Sequence, residues 1–301
     1  MRIAVLMGGP GSERSVSLAS GSGVSRALKT LGAEVFDVIV DDEKFALPAG
    51  VDIAFNVIHG TFGEDGRVQR VLEGRGVRYT GEGVKGSELA INKIETKKRF
   101  VERGVSTPAF EVLQAAGRPS MHPPYVLKAP NEGSSVGVYI VKTESEAEAR
   151  LRDIEKFGFP ILVERFVQGR ELTVGVLGDV ALPLVEIVPR EGFYDFKNKY
   201  PFLNPKAAGA DHYCPALLDE ETTVRVQALG LAAHRALDLQ VYSRVDVLLN
   251  AQNEPSVLEI NTIPGMTESS LLPEAAAAAG IGYAELCARV LSLSLRKYSE
   301  V

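Results

Sequence analysis

The opening stretch of the chain alternates branched apolar runs with glycine-rich turns and amphipathic segments, and this order restricts the fold more than any other feature. Residues 3–7 read as a strand, Gly8 and Gly9 as a turn, 17–31 as an amphipathic helix, and 34–40 and 53–58 as two more strands. Strand and helix in alternation give a parallel sheet covered by helices. The loops at 8–11 and 59–66 then fall at strand carboxyl ends, the edge at which such sheets bind ligands. The fold class expected here is α/β.

A second unit begins after Tyr79-Thr-Gly-Glu-Gly83. Its pattern is a helix over 92–102, a strand opened by Pro108, a strand at 125–128, a charged helix over 144–156 and a strand at 161–166. The chain stays strand-rich to Pro189, enters a polar loop over 190–215, forms a long helix over 220–239, and ends its motif-bearing part in two strands around residues 244–261. A loop of that length in a compact unit is usually a lid. These changes divide the chain into 1–83, 84–167 and 168–301, with the lid inside the third unit.

Composition excludes several classes. With 301 residues, 45% hydrophobic and 24% charged, the usage is that of a globular protein of two or three units. A net charge of −6 argues against a broad polyanion-binding face, so nucleic acid is not the expected partner. Cys214 and Cys287 are far apart and form no paired motif, which fits a reducing compartment. Met1-Arg2 leads straight into a short strand without a signal-peptide core, and no apolar run approaches the ~20 residues of a membrane span. The expected location is the cytoplasm, with no membrane partner.

The chemistry is concentrated in a few motifs. Asp246 and the pair Glu259 and Asn261 lie on strand-like segments flanked by branched apolar residues, so their oxygens can converge while their neighbours face a core. Oxygen ligands without His or Cys suit Mg²⁺, which keeps open positions for phosphate; solvent-facing strand ends are the alternative. Lys128 closes a strand and is followed by Asn131-Glu-Gly133-Ser134-Ser135-Val-Gly137, a loop able to turn backbone N–H groups toward phosphate. A plain hairpin turn would use the same residues. The strand at 161–166 runs through Glu164, Phe166 and Val167 to Glu171; its exit could offer backbone groups to adenine and Glu171 to ribose hydroxyls, or simply join two units. Gly8-Gly-Pro-Gly11 fails as a dinucleotide fingerprint because Arg14 fills the third glycine position. Glu13 is available there for a cationic group such as an ammonium, or for the helix dipole.

Taken in order, the motifs resemble the D-alanine–D-alanine ligase family of the ATP-grasp superfamily over essentially the whole chain. The residues carrying the resemblance are Gly8-Gly9 through Glu13-Arg14-Ser15-Val16-Ser17, His59-Gly60 with Gly63-Glu-Asp-Gly66, Tyr79-Thr-Gly81, Glu132-Gly-Ser-Ser-Val-Gly137, Phe193-Tyr-Asp195 with Lys199-Tyr200, Arg244-Val-Asp246, and Glu259-Ile-Asn261 through Pro264-Gly-Met-Thr267 and Ser270-Leu271. The resemblance implies a three-domain ATP-grasp architecture, α/β in its N-terminal parallel-sheet domain and α+β in the ATP-grasp part. It implies ligation of two D-alanines through a D-alanyl phosphate for peptidoglycan precursors, with ATP and two Mg²⁺ ions, Mn²⁺ as a substitute, and a homodimer. Lys93 and Lys128 become phosphate contacts, Glu164, Phe166, Val167 and Glu171 adenine and ribose contacts, and Asp246, Glu259 and Asn261 metal ligands. Glu13 takes the first D-alanine ammonium and His59 lies near its carboxylate. Lys199 touches the transferred phosphate, Ser134 and Tyr200 join Glu13 in closing the lid, Arg244 and the Gly265 N–H form an oxyanion hole, and Ser270 and Leu271 receive the second D-alanine.

Residues 201–210 make the lid longer than the family's compact form. Relatives that form an ester with D-lactate tend to carry His at the place of Tyr200, so Tyr200 favours an amine as second substrate; His212 in the same loop reads as a solvated side chain. The competing functions are another ATP-grasp carboxylate–amine ligase, a silent nucleotide-binding protein and a nicotinamide-dependent oxidoreductase.

Overall fold

Strand β1 (Arg2–Gly8) is buried along nearly its whole length because it is the middle of a three-stranded parallel sheet, flanked by β2 (Glu34–Val40) and β3 (Ile53–Asn56). Helix α1 (Arg14–Thr30) covers it with Val24, Ala27 and Leu28. The third strand stops at Asn56, short of the expected 58. There the side chain replaces the ladder: Asn56 Nδ2 donates to the Gly63 carbonyl at 3.1 Å and Asn56 Oδ1 accepts from Ile58 N–H at 3.0 Å, closing a turn. The structure, a computed structural model, describes residues 1–190 and 208–299.

Helices α2 (Arg67–Gly74), α3 (Val84–Ile91) and α4 (Lys93–Glu102) lead into the second sheet. Asn92 caps α4, its side chain accepting from Ile94 N–H at 3.1 Å and Glu95 N–H at 3.2 Å. The second sheet is antiparallel: β4 (Phe110–Leu113), β5 (Tyr125–Lys128), β6 (Val138–Val141) and β7 (Ile161–Arg165) in the order β4-β7-β5-β6. Helix α5 (Glu144–Ile154) packs on it through Ala147, Leu151 and Ile154.

The third sheet contains β8 (Gly169–Leu177), β9 (Val180–Ala181), β10 (Val185–Pro189), β11 (Ala210–Tyr213), β12 (Tyr242–Asn250) and β13 (Pro255–Asn261). Its main path is β11-β10-β8-β12-β13, with β9 paired to β8. Helix α6 (Glu220–Ala236) starts where Asp219 caps it, the carboxylate accepting from Thr222 N–H at 2.7 Å, and lies over Val174, Val245 and Val247. At Gly230 the approach is close enough that a Cβ would stand 2.7 Å from Val174 Cβ.

The loop expected over 190–215 is shorter at its far end. Ala210 pairs with Pro189 and Tyr213 with Glu186 in an antiparallel ladder, so the edge of β10 captures this polar segment as a strand. Residues 191–207, which include Lys199 and Tyr200, lie outside the described residues. The helix expected over 220–239 ends at Ala236. Two C-terminal helices, α7 (Leu271–Ala278) and α8 (Tyr283–Arg296), were not legible as such. They bring Leu271, Leu272, Leu286 and Val290 against Ile3, Val5, Phe55 and Val185, so the end of the chain closes a core shared by the first and third sheets. Among the described residues no single helix is long and apolar enough to cross a membrane.

Candidate active site

The antiparallel register of β12 and β13 sets Arg244 opposite Asn261 and Asp246 opposite Glu259, with a bulge after Asp246. Side chains of opposed residues project to the same face and alternate along the strand. The four polar groups therefore share one face, while Val245, Val247 and Ile260 turn into the core under α6. Thr173 of β8 lies opposite Asp246 and its hydroxyl donates to Asp246 Oδ1 at 2.9 Å. Arg244 forks onto the same carboxylate, Nε and Nη2 each at 2.9 Å. Across the strand pair, Lys93 Nζ stands 3.3 Å from Glu259 Oε2 and donates to the Glu132 carbonyl at 2.6 Å. Each of the two carboxylates thus holds a protein cation.

Facing this strand pair are loops from the first two units. One pocket is lined by Glu13, His59, Glu64, Lys93, Gly133, Ser134, Arg244, Glu259, Asn261 and Gly265. Glu13 stands at the N-terminus of α1 without capping it through its side chain. A Cβ added at Gly60 would meet Glu13 Oε1 at 2.8 Å and one at Gly133 would meet it at 3.3 Å, so two glycine loops close on this carboxylate. Ser134 and Ser135 both adopt left-handed backbone, φ 50° and 62°. That conformation is costly outside glycine and clusters at functional loops.

His59 is buried with both ring nitrogens engaged. Nδ1 lies 2.9 Å from the Ile263 carbonyl, which fixes it as the donor, and Nε2 lies 3.0 Å from Ser20 Oγ, which also accepts from Met266 N–H at 3.2 Å. Burial is the main cause that lowers the His59 pKa, opposed by the Glu13 charge. The imidazole joins β3's loop to residues 263–266 and so helps to place Gly265. Glu64 has the opposite shift. Burial first, then the negative charge of Glu13, push its carboxyl up to about 8.

A second cluster lies at the second sheet. Glu164 of β7 is 1% exposed and its carboxylate touches the ammonium groups of both Lys128, from β5, and Lys97, from α4. Lys97 is fully buried and donates to Thr107 Oγ1 at 2.5 Å; Thr107 in turn donates to the Val257 carbonyl of β13 at 2.7 Å. Burial, then the like charge of Lys128, press the Lys97 ammonium well below its ordinary range, against the pull of Glu259. Phe166 follows β7 and its N–H donates to the Pro124 carbonyl at 3.2 Å; Val167 continues into β8, where Glu171 lies opposite Ile187 and Leu248.

Of the residues singled out from sequence, Glu13, His59, Lys93, Ser134, Arg244, Glu259, Asn261 and Gly265 meet in the pocket. Asp246 is tied to it through Arg244, and Lys128 and Glu164 form the neighbouring ionic cluster. Ser270 lies beside Gly265, 2.6 Å from Thr267 Oγ1, and Leu271 opens α7. Sequence reasoning passed over Glu64 and Lys97. Glu64 stood within a quoted loop beside another acid, and Lys97 within the run Lys97-Lys98-Arg99; neither burial is visible from composition.

The model of the D-ala D-ala ligase C-terminus matches residues 97–292, and that of the D-ala D-ala ligase N-terminus matches residues 39–82. The chain belongs to the D-alanine–D-alanine ligase family. A D-alanine–D-alanine ligase of Methylacidiphilum infernorum is 42% identical over 296 residues, covering 98% of this chain and 96% of the relative. One from Geobacter sulfurreducens is 44% identical over 300 residues, covering 96% and 93%. The crystal structure of the Bacillus anthracis D-alanine–D-alanine ligase complexed with ATP superposes with a TM-score of 0.86 at 32% identity, covering 100% of this chain and 98% of that one. The ligase-family fold is thus the mixed α/β ATP-grasp architecture expected, with the parallel sheet at the N-terminus; the other two sheets are antiparallel. Among the described residues this family member gathers no group of three or more His, Cys, Asp and Glu in metal-binding geometry; its oxygen donors are two carboxylates and one amide.

Proposed function

We infer that this protein joins two D-alanines to D-alanyl-D-alanine at the expense of ATP, through a D-alanyl phosphate, releasing ADP and phosphate for peptidoglycan precursor synthesis. One observation carries the reading: a carboxylate suited to an amino acid's ammonium, Glu13, shares a pocket with Arg244, Gly265, Lys93, Glu259 and Asn261, the set needed to handle phosphate and an oxyanion.

In this account Glu13 holds the ammonium of the first D-alanine. Glu64, carrying its proton, leaves the pocket with one carboxylate charge at that position rather than two like charges. His59 sets the loop that carries Gly265. Lys93 and Lys128 meet phosphate oxygens, Glu164 and the backbone at Phe166 and Val167 receive adenine, and Glu171 receives ribose. The hard-oxygen set Asp246, Glu259 and Asn261, whose carboxylates already hold Arg244 and Lys93, fits two Mg²⁺ ions or Mn²⁺ in their place. When bound, such ions supply charge neutralisation to the phosphates. Phosphoryl transfer to the first carboxylate is then chiefly alignment and charge compensation by these residues. Attack by the second amine generates an oxyanion, which Arg244 and the Gly265 N–H stabilise, an effect typically worth about 3 kcal/mol. Ser270 and Leu271 receive the second D-alanine carboxylate. Lys199 touches the transferred phosphate, and Ser134 and Tyr200 join Glu13 in closing the site against water, to which an acyl phosphate is labile. The division into units 1–83, 84–167 and 168–301, a homodimer and a cytoplasmic location complete the proposal.

The test is phosphate release with Mg²⁺ and ATP in the presence of D-alanine, L-alanine, or D-alanine mixed with D-lactate or D-serine, with the product weighed by mass spectrometry. Dipeptide from D-alanine alone is the expected product. Release only with a mixed pair reassigns the second substrate, and release with none contradicts ligation.

A further inference from the structure

Lys97 is fully buried, a condition that lysine almost never meets unless it is paired. Its place in the fold explains the pairing but not the need for it. The Glu164 carboxylate sits between two ammonium groups: Lys97 on Oε1, at 0% side-chain exposure, and Lys128 on Oε2, less deeply buried at 9%. Thr107 fixes Lys97 from below, since the hydroxyl hydrogen of Thr107 goes to the Val257 carbonyl and its oxygen accepts from Lys97. The Phe110 ring stands 5.9 Å from the same nitrogen. A buried ion pair is a poor source of stability, and apolar side chains of similar volume commonly do as well. The presence of this one calls for another cause.

The count of charges supplies it. Lys128 and Glu164 alone form a neutral pair, and a lysine neutralised in this way has little attraction left for a phosphate. With Lys97 added, kept as an ammonium by its direct contact with the Glu164 carboxylate against the lowering effect of burial, the cluster carries two positive charges and one negative among the described residues. We propose that Lys97 is a positioning residue for phosphate recognition: by sharing the Glu164 carboxylate, it leaves Lys128 with net positive charge toward the nucleotide. The inference rests on the nucleotide-binding reading given above. Lys97 touches no substrate. It acts through Glu164 and Lys128, and its hold on Thr107 fixes the cluster to β13 two residues before Glu259.

This role separates from packing by ligand charge. Adenosine and ADP share the base and ribose and differ in phosphate, so the ratio of their inhibition constants against ATP isolates the phosphate increment. With the full-length enzyme and Mg²⁺, Lys97→Met is expected to reduce that ratio about tenfold, in line with the loss of one partly screened charge a few ångströms away. The double variant Lys97→Met with Glu164→Gln removes one charge of each sign, restores the net charge of the cluster, and recovers most of the ratio; the loss of any adenine contact cancels because adenosine reports it too. A folded Lys97→Met enzyme with an unchanged ratio overturns the proposal, as does a double variant whose ratio stays as low as the single's. Where the single variant does not fold, the double decides: a near-wild-type ratio upholds the proposal and a tenfold fall overturns it. Wild-type enzyme that ADP does not inhibit contradicts nucleotide binding itself, and the inference falls with it.

Discussion

Glutamine in place of Glu64 keeps the shape of the side chain and removes its ionisation, which makes the substitution a direct probe of the pocket's electrostatics. The carboxyl is 7% exposed and held at about 8 against an ordinary 4.5, by burial first and by the Glu13 charge second. The unfolded chain therefore releases this proton as pH rises through 4.5, while the folded protein keeps it until about 8. Because the folded pKa is raised, the group favours the folded state at low pH, and that advantage is lost as pH climbs across this window. At about 1.4 kcal/mol per unit, the cost to the wild type reaches roughly 3 kcal/mol near pH 7. Glutamine has no such dependence. Urea unfolding of the ligand-free enzyme at about pH 5, 6, 7 and 8 is expected to give two curves that are close at the acid end and diverge upward, with Glu64→Gln the more stable. Parallel curves, or a variant that loses ground as pH rises, would show that Glu64 is not held protonated.

Three other substitutions test separate links. Gly63→Ala would put a Cβ 1.7 Å from the Ile58 carbonyl oxygen, a clash with backbone, so a loss of more than about 3 kcal/mol in unfolding free energy is expected, and a Tm within a degree or two of wild type contradicts the packing. Arg244→Ala is expected to lower turnover by about 10²–10³ while isothermal calorimetry still detects ATP binding; normal turnover removes the oxyanion role. Glu13→Gln is expected to raise the KM for the first D-alanine with little change in nucleotide affinity, and an unchanged KM refutes the assignment of its carboxylate to the ammonium.

Much of the site was legible because its chemistry depends on residue type and order. Asp246, Glu259 and Asn261 are oxygen donors set among branched residues, and two adjoining strands bring them to one face by alternation alone. The first three strands and α1 were readable for the same reason, since apolar periodicity survives without tertiary information. What escaped depended on burial and on partners distant in sequence. Lys97 looks like a member of a solvated helical run until the second sheet is folded over it. Glu64 acquires its proton because burial and the Glu13 charge outweigh the hydrogen bond from the Gly60 backbone. Helix α7 carries Pro273 in its first turn, where the missing N–H costs nothing, and an alanine tract with no polar face to mark its period; its apolar side chains make sense only against β8 and β10, where Leu272 closes on Gly175. Strand β11 is polar and takes its conformation from the edge of β10.

The central claim is that the carboxylate of the first D-alanine is activated by phosphorylation in the pocket shared by Glu13, Lys93, Arg244 and Glu259. Turnover of D-alanine labelled with heavy oxygen in its carboxylate, followed by mass analysis of the released phosphate, tests it most directly. Attack of a carboxylate oxygen on the terminal phosphorus, and its departure with phosphate when the second amine attacks, transfers one labelled oxygen to each phosphate. Dipeptide formed with unlabelled phosphate would contradict the account.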